Sequence, residues 1–335
     1  MTRPGSLRWL GWGVATGFAF AFAIARIGAQ DPGDPFHDHG DQGELIHVLP
    51  SPAAIHNPHD RQPIEAPAHS GTAVYPPSYG SGNLSDHGGP EISNATFRQI
   101  YWNASVANST ATPNGTTLQS YIGGFADVYA NGQTYSGSTT DDYTIIQQYG
   151  STDPISPALP NLGVFVDRQR TTSRITDSSI QSYLATLFRN GSETPSASTI
   201  YGVYFPHGMR ISLQGGSSCT SFCGYHSHFT YNGTLIKYAV FPYTDCYGCS
   251  LSGLTVADIL TIVTSHEIRE SVTDSLGTAW YDAAGYEADD KCAWHNLYQT
   301  TNGGFWVQPE FSNGGTSSNS GFTATYPGPG CVVPR

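Results

Sequence analysis

The sequence predicts a mixed α/β (α+β) domain, and three features point to it. The runs "STIYGVYFP" and "GTLIKYAVFP" are almost continuously apolar and end in proline, as buried strands do. Segments with apolar residues at helical spacing alternate with such runs, the longest being "LTVADILTIVTSHEIRESVTDSLG". Six cysteines behind an apolar leader indicate a disulfide-bonded domain of an oxidising compartment.

In chain order, Arg3 and Arg8 precede "WLGWGVATGFAFAFAIA" and then "RIGAQD". A charged start, an apolar run and a small-residue exit predict a secretory signal over residues 1–29, cut after Ala29. The competing reading is a retained membrane anchor, because the run approaches spanning length. Residues 30–94 are rich in Pro, Gly, Asp and His and lack apolar periodicity, so a disordered linker or pro-segment is expected. Seven of the twelve histidines lie there (His37, His39, His47, His56, His59, His69 and His87), which raises the alternative of a loose metal-capturing or pH-sensing arm.

A globular domain is predicted over residues 95–335. "ATFRQIYWNA" and "NLGVFVDRQ" read as strands, and "TTLQSYIGGFADVYA" as a helix weakened by Gly123 and Gly124. "ITDSSIQSYLATLFRNG" is a helix capped at Thr176 or Asp177 and stopped by Gly191. In "SSCTSFCGYHSHFTYNG", His226 and His228 alternate with their neighbours and share one strand face. A strand is expected near "GGFWVQPEF".

The net charge of −12 leaves no basic surface to neutralise a row of phosphates, so nucleic acid is excluded as a partner. The cysteines fall as Cys219/Cys223, Cys246/Cys249 and Cys292/Cys331. Three disulfides are expected in preference to a four-cysteine zinc site; spacing does not determine connectivity, and pairing of neighbours is the simplest option. Asn-x-Ser/Thr sequons start at Asn83, Asn94, Asn103, Asn108, Asn114, Asn190 and Asn232, and any that carry glycan must lie at the surface.

The chemistry concentrates in "TSHEIRESVTDS". Positions i, i+4 and i+8 drift by only about 40° per step on a helix, so His266, Glu270 and Asp274 form one stripe beside Glu267. Zinc peptidases with HExxH use two ligands one turn apart and a neighbouring glutamate that activates water. Here a carboxylate stands in the second ligand position. "YDAAGYEADDKC" offers Asp282, Glu287, Asp289 and Asp290 for a third ligand. The expected set is His266, Glu270 and Glu287, with Glu267 as general base and zinc as the metal; anionic ligands also admit manganese or calcium.

The alternatives are a calcium site stapling the loop, carboxylates that cap backbone amides and pair with Arg269 and Lys291, or a solvated helix face. His207 and Arg210 are candidates for orienting a substrate, with loop packing the plainer role. No GxSxG elbow is present, and no carboxylate pair is singled out for glycoside hydrolysis. Twenty tyrosines and six tryptophans would also suit a carbohydrate-binding surface, although core packing accounts for such residues more often.

"SSCTSFCGYHSHF", "YAVFPYTDCYGCS" and "TSHEIRESVTDSLGTAWYDAAGYEADDKCAW" resemble a set of secreted bacterial and fungal proteins that share an FCGYH…HExxExxTD…CAW order. The first two blocks, with "HGGPEISNATFRQIYWN", also resemble the plant exordium (phosphate-induced protein) family. The plant members lack the HExxE helix in this form, and Ser275 stands where proline is expected after "TD". The resemblance implies a secreted protein of the extracellular space or cell wall and no particular reaction. Two functions therefore stand at this point. One is a zincin-like metal-dependent hydrolase acting on an extracellular peptide; the other is a non-enzymatic, exordium-like protein bound to a cell-wall polymer. A membrane enters only if the leader is retained.

Overall fold

The structure, a computed structural model, describes residues 34–55, 61–130, 132, 135, 142–151, 154–319 and 322–334. The chain divides into two units, Met1–Asp34 and Pro35–Arg335, and the description below concerns the second. The leader at 1–29, and with it the cleavage site, lies outside the described residues.

The main sheet has seven strands: β1 (His37–His39), β2 (Leu45–Pro50), β3 (Thr96–Tyr101), β4 (Asn161–Val166), β5 (Thr199–Tyr204), β6 (Phe222–Tyr231) and β7 (Thr234–Phe241). They lie in the order β1-β2-β6-β7-β5-β3-β4. β7, β5, β3 and β4 run parallel, and β6 and β2 add on antiparallel. The parallel half follows from the chain order, because helices α1 (Leu118–Val128) and α2 (Asp177–Arg189) supply the crossovers that parallel strands need. Every residue of β5 is buried, which accounts for its unbroken apolar run. The β6–β7 hairpin closes through Asn232 and Gly233, both at positive φ (47° and 83°), the two-residue turn that matches strand twist.

The third helix, α3 (Val256–Thr273), starts with a capping box. The Thr255 hydroxyl accepts from the Asp258 N–H, and the Asp258 carboxylate accepts from the Thr255 N–H at 2.9 Å. The helix ends at Thr273, four residues before the expected Gly277, with Asp274 as its C-cap. The Asp274 Oδ1 accepts from the Thr278 and Ala279 N–H groups, both at 2.6 Å, and this bends the chain away before Gly277.

All 18 residues of α3 are buried, so the alternative of a solvated helix face is overturned. One side packs on the sheet, where Tyr204 OH meets Thr264 Oγ1 at 3.0 Å. The other is covered by the C-terminal segments, where Thr261 Oγ1 donates to the Trp306 carbonyl at 2.7 Å. Tyr201, of opposite parity on β5, packs edge-to-face on Phe188 of α2. Strand alternation therefore puts α2 and α3 on opposite faces of the sheet.

Two expectations need correction. Residues 37–50 are not part of a disordered arm; they form β1 and β2 at the edge of the main sheet. Their few apolar side chains are placed where they count: Phe36, Ile46 and Leu49 are at most 1% exposed. The cysteines also do not pair with their neighbours. The disulfides are Cys219–Cys246, Cys223–Cys249 and Cys292–Cys331. Cys219 and Cys223 flank the start of β6, whereas Cys246 and Cys249 follow the end of β7. An antiparallel hairpin lays those two ends side by side, so each pair bonds across to the other. Six of the sequon asparagines are exposed; Asn103 is half-buried and caps the short helix Ala104–Ala107.

Candidate metal centre

On α3, His266 and Glu270 lie one turn apart, and His266 Nε2 is 2.9 Å from Glu270 Oε2. Glu267 turns toward the sheet. Its Oε2 lies 3.3 Å from His226 Nδ1, and the same nitrogen is 3.7 Å from Glu270 Oε2. His226 is on the α3 face of β6 because it shares parity with Gly224. A Cβ on Gly224 would lie 2.4 Å from Val263 Cγ1 and 2.8 Å from Glu267 Oε1. The bare glycine is what lets helix and strand approach closely enough for Glu267 to reach His226.

Glu287 arrives from the loop after α3. Its Oε2 lies 3.8 Å from His226 Nε2 and 3.1 Å from His47 Nδ1 on β2. Asp290 completes the cluster, with Oδ1 3.7 Å from His266 Nε2. Backbone groups orient the acids: the Asp290 N–H donates to Glu270 Oε1, and the Glu287 N–H to Asp290 Oδ2, both at 3.0 Å.

These side chains form three overlapping sets of potential metal ligands: His266/Glu267/Glu270, His226/Glu270/Glu287 and His47/Glu287/Asp290. The expected His266, Glu270 and Glu287 all belong to the cluster. Glu287, however, does not close a three-ligand set with His266; it joins through Glu270 and His226. Glu267, expected to act solely as a base, is itself within ligand distance. His226 was legible only as one of two histidines on a strand face, and His47 only as one of seven histidines in the supposed arm, whose metal-capturing alternative did not single it out. The flanking "CGYH" glycine was a usable signal for His226. His47 carried none, because a strand far away in sequence delivers it.

The cluster is almost sealed. His266, Glu267 and Glu287 are 0% exposed, and His47, the most open member, is 6% exposed. Burial holds the imidazoles neutral, pulling His226 down to about 3, His266 to about 4 and His47 well below its ordinary value. Burial, followed by repulsion between the acids, pushes Glu267, Glu270 and Glu287 well above the ordinary carboxylate range. The close His–Glu contacts are therefore not ion pairs between charged partners, and no group within the cluster neutralises it. Both ring nitrogens of His47 and His266, both carboxylate oxygens of Glu287, and Glu267 Oε1 have no hydrogen-bond partner. Buried polar atoms without partners are costly, and a cation is one kind of ligand, beside water, that would satisfy imidazole nitrogens and carboxylate oxygens together.

The neighbouring buried cations are engaged elsewhere. Arg269 pairs with Asp289 and, at 2.7 Å, with Glu310; Lys291 donates to Asp282 at 2.5 Å. Capping and charge pairing thus account for Asp282, Asp289 and one oxygen of Asp274, as the plainer alternative held, but not for Asp274 Oδ2 or the histidine-rich set. His207 and Asp245 form a separate pair, with Nδ1 2.5 Å from Oδ2 and three-quarters of the imidazole exposed. Arg210 donates to Thr220 Oγ1.

A narrow cleft of ≈ 20 Å³ reaches the cluster from solvent, with His47 and His226 on its wall beside His228 and Ser275–Gly277. Gly277 has φ +66°, and a Cβ there would come within 2.9 Å of His47 Nε2, so a side chain would crowd this entrance. Comparison with protein families, with curated proteins and with solved structures gives no match for this chain.

Proposed function

We propose that this protein is an extracellular metal-dependent hydrolase, zincin-like in the use of α3. The observation that carries the proposal is the buried set of unpartnered donors around an HExxE turn, open to solvent along one narrow cleft. His266 and Glu270, with His226 and Glu287, would hold the metal. Neutral imidazoles with carboxylates suit zinc, and manganese as the alternative; calcium prefers oxygen alone and fits two histidines poorly. A bound zinc ion supplies Lewis acidity and lowers the pKa of a coordinated water.

The protein's own groups do the rest. Glu267 Oε1, free of other hydrogen bonds, would take the proton from a water entering through the cleft. The Asp290 N–H fixes the Glu270 carboxylate, and Gly224 keeps Glu267 close to His226. The cleft holds only ≈ 20 Å³, far below the roughly 300–1,000 Å³ of ordinary ligand pockets, so as it stands it admits water or a small terminal group and not a stretch of polymer.

The test is metal content by elemental mass spectrometry, beside hydrolysis of a panel of short peptides. Glu267→Gln should keep its zinc and lose about 10²–10⁴-fold in rate. Absence of zinc and manganese from the purified protein, or unchanged activity in the variant, would remove the proposal.

A second function is favoured by the sealing of the site. A metal that joins β2, β6, α3 and the 287–290 loop would brace an exordium-like wall or matrix protein without catalysing anything. In that case Glu267→Gln shifts stability and no peptide in the panel is cleaved. Secretion with removal of residues 1–29 belongs to both functions. The three disulfides are consistent with an extracellular location, and no helix among the described residues is long and apolar enough to cross a membrane.

A further inference from the structure

We infer that the cluster holds two divalent cations, the second at a subsite formed by His47, Glu287 and Asp290 and joined to the first through Glu287. The inference rests on the metal site proposed above and extends it to residues that site does not need.

The first argument is one of capacity. The cluster gathers three imidazoles and four carboxylates, Glu267, Glu270, Glu287 and Asp290. A tetrahedral ion takes four ligands, so a single zinc would leave buried donors unsatisfied. Ionised, the four carboxylates carry four negative charges, of which one divalent cation neutralises two. Arg269 and Lys291 do not supply the remainder, since each is paired with acids outside the cluster.

The second argument is geometric. His226 sits between the two subsites, Nδ1 toward Glu267 and Glu270 and Nε2 toward Glu287. His47 lies beyond it, with ring centroids 5.9 Å apart, and faces Glu287 at 3.1 Å. Both nitrogens of His47 and both oxygens of Glu287 lack hydrogen-bond partners, and both residues are buried. A carboxylate placed between two sets of imidazoles is the arrangement that bridges metal ions about 3.5–4 Å apart. His47 also belongs to the cleft wall, so the second ion would stand on the side a substrate enters.

The experiment is zinc titration of the full, chelator-treated protein, counted by elemental mass spectrometry after removal of excess metal, for wild type, His47→Ala, His47→Gln and His266→Ala. The expected result is two zinc ions per chain in the wild type and one in either His47 variant, with unchanged circular dichroism. One zinc in the wild type, retained in both His47 variants and lost in His266→Ala, overturns the second subsite and leaves the first standing. No zinc in the wild type overturns both. If the His47 variants fail to fold, the wild-type stoichiometry alone decides between two and one.

Discussion

Two buried charged clusters share α3 and the loop that follows it, and they differ in how their charges are met. Around Arg269, one guanidinium faces Asp289 and Glu310, while Gln308 supplies its carbonyl to Arg269 and its amide to Asp289. Lys291 and Asp282 repeat the pattern nearby. Around His266, equally buried carboxylates meet neutral imidazoles, each other and two backbone N–H groups, and several ligand atoms stay without partners. The first cluster meets its acids with a cation of the polypeptide, although Gln308 Oε1 has no hydrogen-bond partner. The second leaves polar atoms of His47, His266, Glu267 and Glu287 without partners. Burial and acidic content are alike in both, so the difference lies in whether a cationic side chain faces the carboxylates.

The largest effect should come from breaking the Arg269 cluster. Arg269→Met leaves Asp289 and Glu310 buried without their cation and should cost about 3–5 kcal/mol of stability in urea unfolding. Added zinc should not restore it. Rescue by zinc would mean that the two clusters share their charge, and the contrast would fail.

Asp177 on the opposite face of the sheet is an intermediate case, a buried carboxylate met by neutral donors. It accepts from Tyr225 OH at 2.6 Å, Tyr238 OH at 2.7 Å and Gln181 Nε2 at 2.7 Å. Burial outweighs these bonds and raises it to about 6. Because the folded state holds the proton more tightly, the associated stability is present below about pH 4 and is lost as pH rises through about 6. The span is on the order of 3 kcal/mol. Unfolding of Asp177→Asn, followed from pH 4 to pH 7, should lack this slope. An unchanged slope would assign it to other groups.

Gly224→Ala should produce the smallest change and should act on the His266 cluster alone. The new methyl meets Val263 and Glu267, at an expected cost of about 1–3 kcal/mol in thermal unfolding. Metal content should fall with it, whereas the Arg269 cluster, one helical face away, should keep its pH and salt behaviour. A neutral substitution would show that the helix can move off β6 without loss.

The sequence carried the individual elements well. β5 and β7 were legible as apolar runs, α2 as a capped and glycine-stopped helix, and α3 as the long helix bearing the site, because each depends on local periodicity and end signals. The 37–50 segment was missed for a physical reason. Its polar composition argues against independent folding, yet a strand needs only a sheet edge to pair with and a few apolar residues to bury, and β6 offers that edge. The disulfide pairing was missed because connectivity follows from which strand ends adjoin, and no spacing encodes that.

By itself, then, the sequence determined the alternation of strands and helices, the oxidised cysteines and the acidic, histidine-bearing turn of α3, all properties of neighbouring residues. Tertiary structure alone decided that His47, His226, Glu287 and Asp290 converge on that turn. It also decided that Arg269 and Lys291 are paired elsewhere. Convergence depends on sheet order and on which face each strand turns inward, and it brings together residues as far apart in sequence as His47 and Glu287, 240 positions, and His47 and Asp290, 243. Contacts at that range are made by packing and closure of the whole domain, so their chemistry appears only once the chain is folded.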